Sequence, residues 1–164
     1  MTSYNEEATK RLEEHMYMGV PGCALTDLKE GADINIVNQH GGTVLHFACS
    51  YSFWPLVEKC LEAGMDVNAK NKAGDSPLSC ITGSPESSAE GIVRVLLKSG
   101  ADPNISHALH NAAYQGNNAI IKCLWEFGAD MGVLDKNGRT ASLLASMNGQ
   151  MHTSMLIDSL RKAS

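Results

Sequence analysis

The chain has 164 residues, with 13 Lys and Arg against 18 Asp and Glu and a net charge of −5. The basic residues are scattered among acidic ones and make no face for a phosphate backbone, so nucleic acid is not an expected partner. No run approaches the ~18 apolar residues of a membrane span, and the opening MTSYNEEATKRLEEH lacks the basic-then-apolar order of a signal peptide. The sequence therefore reads as soluble and unexported, with no membrane partner. Its five cysteines, Cys23, Cys49, Cys60, Cys80 and Cys123, are odd in number and form no C-x-x-C pair. Four fall among apolar positions of predicted helices, where a reduced thiol packs as a small hydrophobe. That points to a reducing compartment: the cytosol fits best and the nucleus stays open.

Residues 5–37 begin with Ala8, Leu12, His15 and Met16 at helical spacing, and Gly19, Pro21 and Gly22 then make a turn. A second short helix runs to about Glu30 and ends in GADIN, residues 31–35. The charges at Glu6, Glu7, Lys10, Arg11, Glu13 and Glu14 read as a solvated outer face.

Residues 38–70 carry the clearest local signals. Thr43 is placed to accept a free N–H of a helix beginning at Val44, and Gly41 takes a turn conformation that a side chain would resist. Leu45 and Ala48, then Leu56, Val57, Cys60 and Leu61, line the faces of two helices, and Gly64 ends the second. Helices of two to three turns are marginal alone and need neighbours. Gly41, Thr43, Leu45, His46 and Ala48, followed by Leu61, Gly64, Asp66, Val67 and Asn68, match the G-x-T-P-L-H-x-A and L-x-x-G-A-D-V-N signals of the 33-residue ankyrin repeat. The stretch resembles that repeat. The resemblance implies an all-α ankyrin-repeat solenoid of stacked helix-turn-helix units with short β-hairpin fingers, and a protein-binding scaffold without chemistry of its own. It makes residues 5–37 a degenerate N-terminal capping repeat.

Residues 71–106 repeat the pattern with Gly74, Ser76 as N-cap and Pro77 as first helical residue, and end in LLKSGADPN. An insertion of Gly, Ser and Pro, TGSPESSAEG, lies between the two helices and reads as a surface loop, with Ser84-Pro85 as a phosphorylation candidate. Residues 107–135 keep Leu109, His110, Ala112, Gly116, Leu124 and Gly128, but His107 stands in the usual Thr position with only Ile105 and Ser106 between it and Asn104. About four residues of the finger are missing, which predicts a notch in the row and a weak junction near Ile105 and Ser106. Residues 136–164, preceded by Asp135, supply Gly138 for the turn and Thr140 as N-cap. Ser142, Thr153 and Ser154 replace apolar residues there, so the unit reads as a polar C-terminal cap whose outer face meets water. Both ends look finished, and residues 1–164 read as one domain.

No glycine-rich phosphate loop or G-x-S-x-G elbow occurs. His107 and His110 are three apart, the spacing of a shared helical face, and a metal-dependent or thiol-dependent enzyme is the rival reading. The resemblance gives His46 and His110 a structural role in the turn, and each cysteine lies at a helical core position where thiols are inert. No catalytic, cofactor-binding or metal residues are therefore assigned. Asn35, Asn68 and Asn104 fall on the repeat's terminal Asn, which the resemblance makes a turn-capping amide and, in some relatives, a hydroxylation site.

The resemblance places partner binding on the concave face, at finger tips and the exposed side of each first helix. Finger-tip candidates are Gln39, His40, Lys72, Asp75, Lys136, Asn137 and Arg139, and first-helix candidates are Tyr51, Tyr114, Gln115, Met147 and Asn148. The two tyrosines lead, since aromatics are enriched among interface hot spots. Phe53 and Trp54 form a candidate secondary patch, and Trp125 sits at a core position and is expected to be buried. The expected molecule is a monomer that binds another protein as adaptor or stoichiometric regulator. Its sharper version is an inhibitor or assembly chaperone of a kinase or proteasome-type partner.

Overall fold

A computed structural model of the chain describes residues 4–82 and 89–163, so most of the predicted Ser-rich loop lies outside the described residues. The elements, in order, are α1 (Glu6–Met18), α2 (Pro21–Lys29), α3 (Val44–Ser50), α4 (Trp54–Glu62), α5 (Pro77–Thr82) and α6 (Ala89–Lys98). A 3₁₀ turn (Ile105–His107), α7 (Ala108–Gln115), α8 (Asn118–Glu126), α9 (Ala141–Met147) and α10 (Met151–Ala163) follow. Consecutive helices pair, and the pairs stack in a row. The first helices α3, α5, α7 and α9 pack each on the next; behind them α2 packs on α4, α6 on α8 and α8 on α10.

Local chemistry sets the boundaries. Thr43 caps α3 in a reciprocal box with His46, Ser76 Oγ accepts from Ser79 N–H at 3.2 Å, and Thr140 Oγ1 accepts from Leu143 N–H at 3.2 Å. Each such cap is worth about 1 kcal/mol. Between units, Asp33, Asp66, Asp102 and Asp130 each accept, at 2.7–2.9 Å, from the backbone N–H two residues on. Asn35 Nδ2 bonds within its own turn, donating to Asp33 at 3.1 Å, whereas the other two terminal asparagines reach onward. Asn68 reaches the next unit, donating to Gly100 C=O and accepting from Asp102 N–H, both at 2.9 Å, and Asn104 accepts from Asp130 N–H at 2.8 Å. A continuous apolar spine, Leu12, Leu45, Leu78, Ile92, Ile120 and Ile157 among it, is fully buried. Burial of each such side chain stabilises by roughly 1.5–3 kcal/mol, which is how helices of six to ten residues persist.

Several expectations change. The fingers hold no strands among the described residues, only the isolated bridges Val37–Thr43 and Leu134–Thr140. Their turns are made instead by Asn38, Asn71 and Asp135, each accepting two backbone N–H groups at one oxygen. Seven residues, 69–75, separate Asn68 from the N-cap Ser76, and two, 105 and 106, separate Asn104 from the N-cap His107, so five finger residues are missing rather than four. In the first unit, Arg11 is no solvated charge. Its Nε donates to the buried Asp27 at 3.1 Å, its guanidinium also pairs with Glu30, and His15 Nδ1 lies 2.5 Å from the other Asp27 oxygen. Trp125 is half-buried, Cys23 is exposed and Cys80 half-buried; Cys49, Cys60 and Cys123 are core residues as expected. The last unit inverts the predicted cap. Ser142, Thr153 and Ser154 point inward, Ser154 Oγ meeting Ser142 at 3.0 Å and Ser146 at 2.8 Å, while Leu143, Met147, Met151 and Met155 are exposed.

Candidate protein-binding face

The first two fingers are joined by backbone. Lys72 N–H donates to His40 C=O at 2.9 Å, and Lys72 Nζ returns to Gln39 C=O at 3.0 Å. His46 anchors both from below. Its Nδ1 meets Thr43 N–H at 3.2 Å and Thr43 Oγ1 at 2.8 Å, and its Nε2 donates to Asp75 C=O at 3.0 Å. Burial lowers the His46 pKa, so the ring is neutral in this role. Asp75 thus contributes chiefly its carbonyl.

These fingers and α3 enclose an open groove of about 690 Å³ lined by His40, Phe47, Ser50, Tyr51, Lys72 and Cys80. Tyr51 is 48% exposed. Its ring packs on Phe47 with centroids 5.0 Å apart, and its hydroxyl covers the α1 C-cap Gly19, which sits at φ +74°. A Cβ at Gly19 would collide with that hydroxyl, so Gly19 serves both the left-handed turn and the close approach.

A second group forms where α7 and α9 end. Asn148 Nδ2 donates to Tyr114 C=O at 2.7 Å, and Tyr114, Gln115 and Met147 are exposed around that bond. At the opposite end of α9, Lys136 and Asn137 stand exposed on the last finger. Arg139 does not: its guanidinium clasps Asp135 at 2.8 Å, and its own backbone N–H also bonds that carboxylate. These bonds, the Arg139 N–H foremost, hold the Asp135 pKa down to about 2. The predicted residues therefore fall into two groups, with the missing finger between them. The secondary patch shrinks to one ring: Phe53 is half-buried against the core, and Trp54 is 38% exposed with its edge toward Gly91 of α6.

Burial pushes the Cys60 thiol up to about 12 and raises Cys49, Cys80 and Cys123 as well, leaving these four protonated at neutral pH. His110 Nε2 is committed to Arg139 C=O at 3.0 Å. Among the described residues no group of three or more His, Cys, Asp or Glu side chains could hold a metal.

A family model described as ankyrin repeats (many copies) matches residues 28–79. The B-cell lymphoma 3 protein homolog of Mus musculus is 32% identical over 135 residues, covering 76% of this chain and 30% of the relative. Ankyrin repeat and SOCS box protein 16 of Homo sapiens is 30% identical over 129 residues, covering 75% and 28%. This chain is an ankyrin-repeat protein. The ankyrin-repeat protein is also similar to Protein lin-12 of Caenorhabditis elegans, 30% identical over 148 residues, 76% of this chain and 10% of that one. It spans less than a third of the length of each of these relatives. Ankyrin repeats are general protein–protein interaction modules, and the family is generally non-enzymatic. Among the described residues no helix is long and apolar enough to cross a membrane.

Proposed function

We propose that this ankyrin-repeat protein binds one partner protein through its concave face, with the groove between the first two fingers and α3 as the principal contact. The observation that carries this reading is the juxtaposition of a half-exposed Tyr51 with His40 and Lys72 around an open groove. Tyrosine offers a large ring with a polar tip, and the tip is already fixed over Gly19, so little side-chain freedom is lost on binding. Tyr114, Gln115, Met147 and Asn148 extend the surface beyond the notch, and the tips at Lys136 and Asn137 border it. Asp75 and Arg139 support the fingers from within. An adaptor needs a second surface, and the lone exposed ring of Trp54 is a poor one. That favours a stoichiometric regulator, working as a monomer in the cytosol, with residues 1–164 acting as one domain.

The test is capture of partners from the source lysate by the wild type and by a Tyr51→Ala, Tyr114→Ala variant whose circular dichroism matches. Losing two hot-spot rings at ~2 kcal/mol each predicts that a partner held by the wild type is lost by the variant. Retention of the same partner by both proteins would put the binding surface elsewhere.

A further inference from the structure

We propose that the notch left by the missing third finger receives a tight turn of a partner protein, and that a serine or threonine hydroxyl of that turn bonds His110 Nδ1. The proposal rests on the binding-module reading and adds the chemistry that the partner must present.

The argument starts from a comparison of two units. In the first, Thr43 Oγ1 lies 2.8 Å from His46 Nδ1 and also accepts from the His46 N–H, while His46 Nε2 donates to the carbonyl of Asp75. His110 repeats the second half of this arrangement, with Nε2 3.0 Å from Arg139 C=O. A carbonyl only accepts, so Nε2 carries the proton and Nδ1 presents a lone pair. His110 is 3% exposed, and its Nδ1 has no partner among the described residues. Such a buried polar atom is destabilising unless it is served. The residue in the place of Thr43 is His107, which makes no side-chain cap to α7.

The position that His107 fills without a hydroxyl therefore calls for one group that donates to Nδ1 and accepts from the first turn of α7. A hydroxyl does both. A carboxylate or phosphate would set lone pair against lone pair, and an ammonium group could not accept. Burial lowers the His110 pKa and keeps the ring in the accepting form.

The backbone on either side repeats the demand. Lys72 N–H bonds His40 C=O between adjacent fingers. The counterparts across the gap, Ala73 C=O and Lys136 N–H, make no backbone bond among the described residues. A turn seated between them would meet an acceptor on one side and a donor on the other. His107 stands at the entrance, exposed, with φ +62° and its ring edge-on to His110 at 5.6 Å between centroids. Its ring must turn aside to admit a hydroxyl to Nδ1, and its exposure leaves it room to do so.

The probe is a cyclised peptide of residues 36–44, the finger with which this protein serves its own His46, alongside the same peptide with Thr43→Val. Each is titrated to millimolar concentration into the full chain carrying ¹⁵N-labelled histidine and backbone. Saturable shifts of the His110 Nδ1 resonance and of amides 105–110, at least tenfold weaker for the valine peptide, are expected. Equal binding of both peptides, shifts confined to the His40–Lys72–Tyr51 groove, or no saturable binding would overturn the proposal. So would a response of both histidine rings to Zn²⁺ alone with none to the peptide. His107→Thr, which supplies the hydroxyl within the chain, is expected to abolish peptide binding, and unchanged binding would count against the site. If that variant fails to fold, the peptide pair still decides. Failure here leaves the Tyr51 groove untouched, because capture of its partner does not depend on the peptide.

Discussion

Asp135 anchors the last finger as Asn38 and Asn71 anchor the first two, but with a charge. That difference makes one finger sensitive to acid. The folded carboxyl titrates at about 2, below an unfolded value of ~3.9. Its contribution to stability is thus complete above about pH 4 and is lost as pH falls toward 2. Asp135→Asn keeps the turn, as its counterparts do, and removes the titration. The wild-type Tm is expected to fall more steeply than the variant's between pH 4 and pH 2, measured by thermal scans; parallel curves would refute the assignment. At this scale the sequence was legible where the partner is close in the chain. Thr43, Ser76 and Thr140 announce their caps because each partner is three residues away. The Asp27 network was not, since Arg11 and His15 reach it from 16 and 12 residues away across a helical turn and leave no local pattern.

At the level of elements, the helices were visible because caps and left-handed glycines mark their ends, and the short spacing at His107 announced the missing finger. The last unit was misread. Serine and threonine look like a solvated face until their hydroxyls satisfy one another inside, as Ser142, Ser146 and Ser154 do, and a binary apolar–polar pattern does not encode that pairing. The junction before α7 has a two-residue connection, an N-cap without a side-chain bond and a left-handed histidine. Hydrogen exchange is therefore expected to be faster at residues 105–107 than in the flanking α5 and α9. Uniform protection across that junction would contradict it.

Across the whole molecule, a row of units touching only their neighbours gives one long surface with local stability, and the notch divides that surface into two lobes. The candidate residues were nominated from the repeat's own positions, which the resemblance places on the concave side. Their grouping could not be read, because sequence does not show that Asp75 serves His46 through its carbonyl or that the Arg139 guanidinium is taken by the Asp135 carboxylate. The exposed methionines of α9 and α10 have a separate consequence. Met147, Met151 and Met155, 65%, 58% and 69% exposed, form an oxidisable surface, whereas Met16 and Met131 are enclosed. Mild peroxide should add about 16 Da at each of the three before touching the enclosed pair, readable by peptide mass mapping with helicity retained. Sulfoxide formation would turn these exposed side chains from greasy to wet before the enclosed pair is reached, so an oxidant would rewrite the chemistry of that surface ahead of the core.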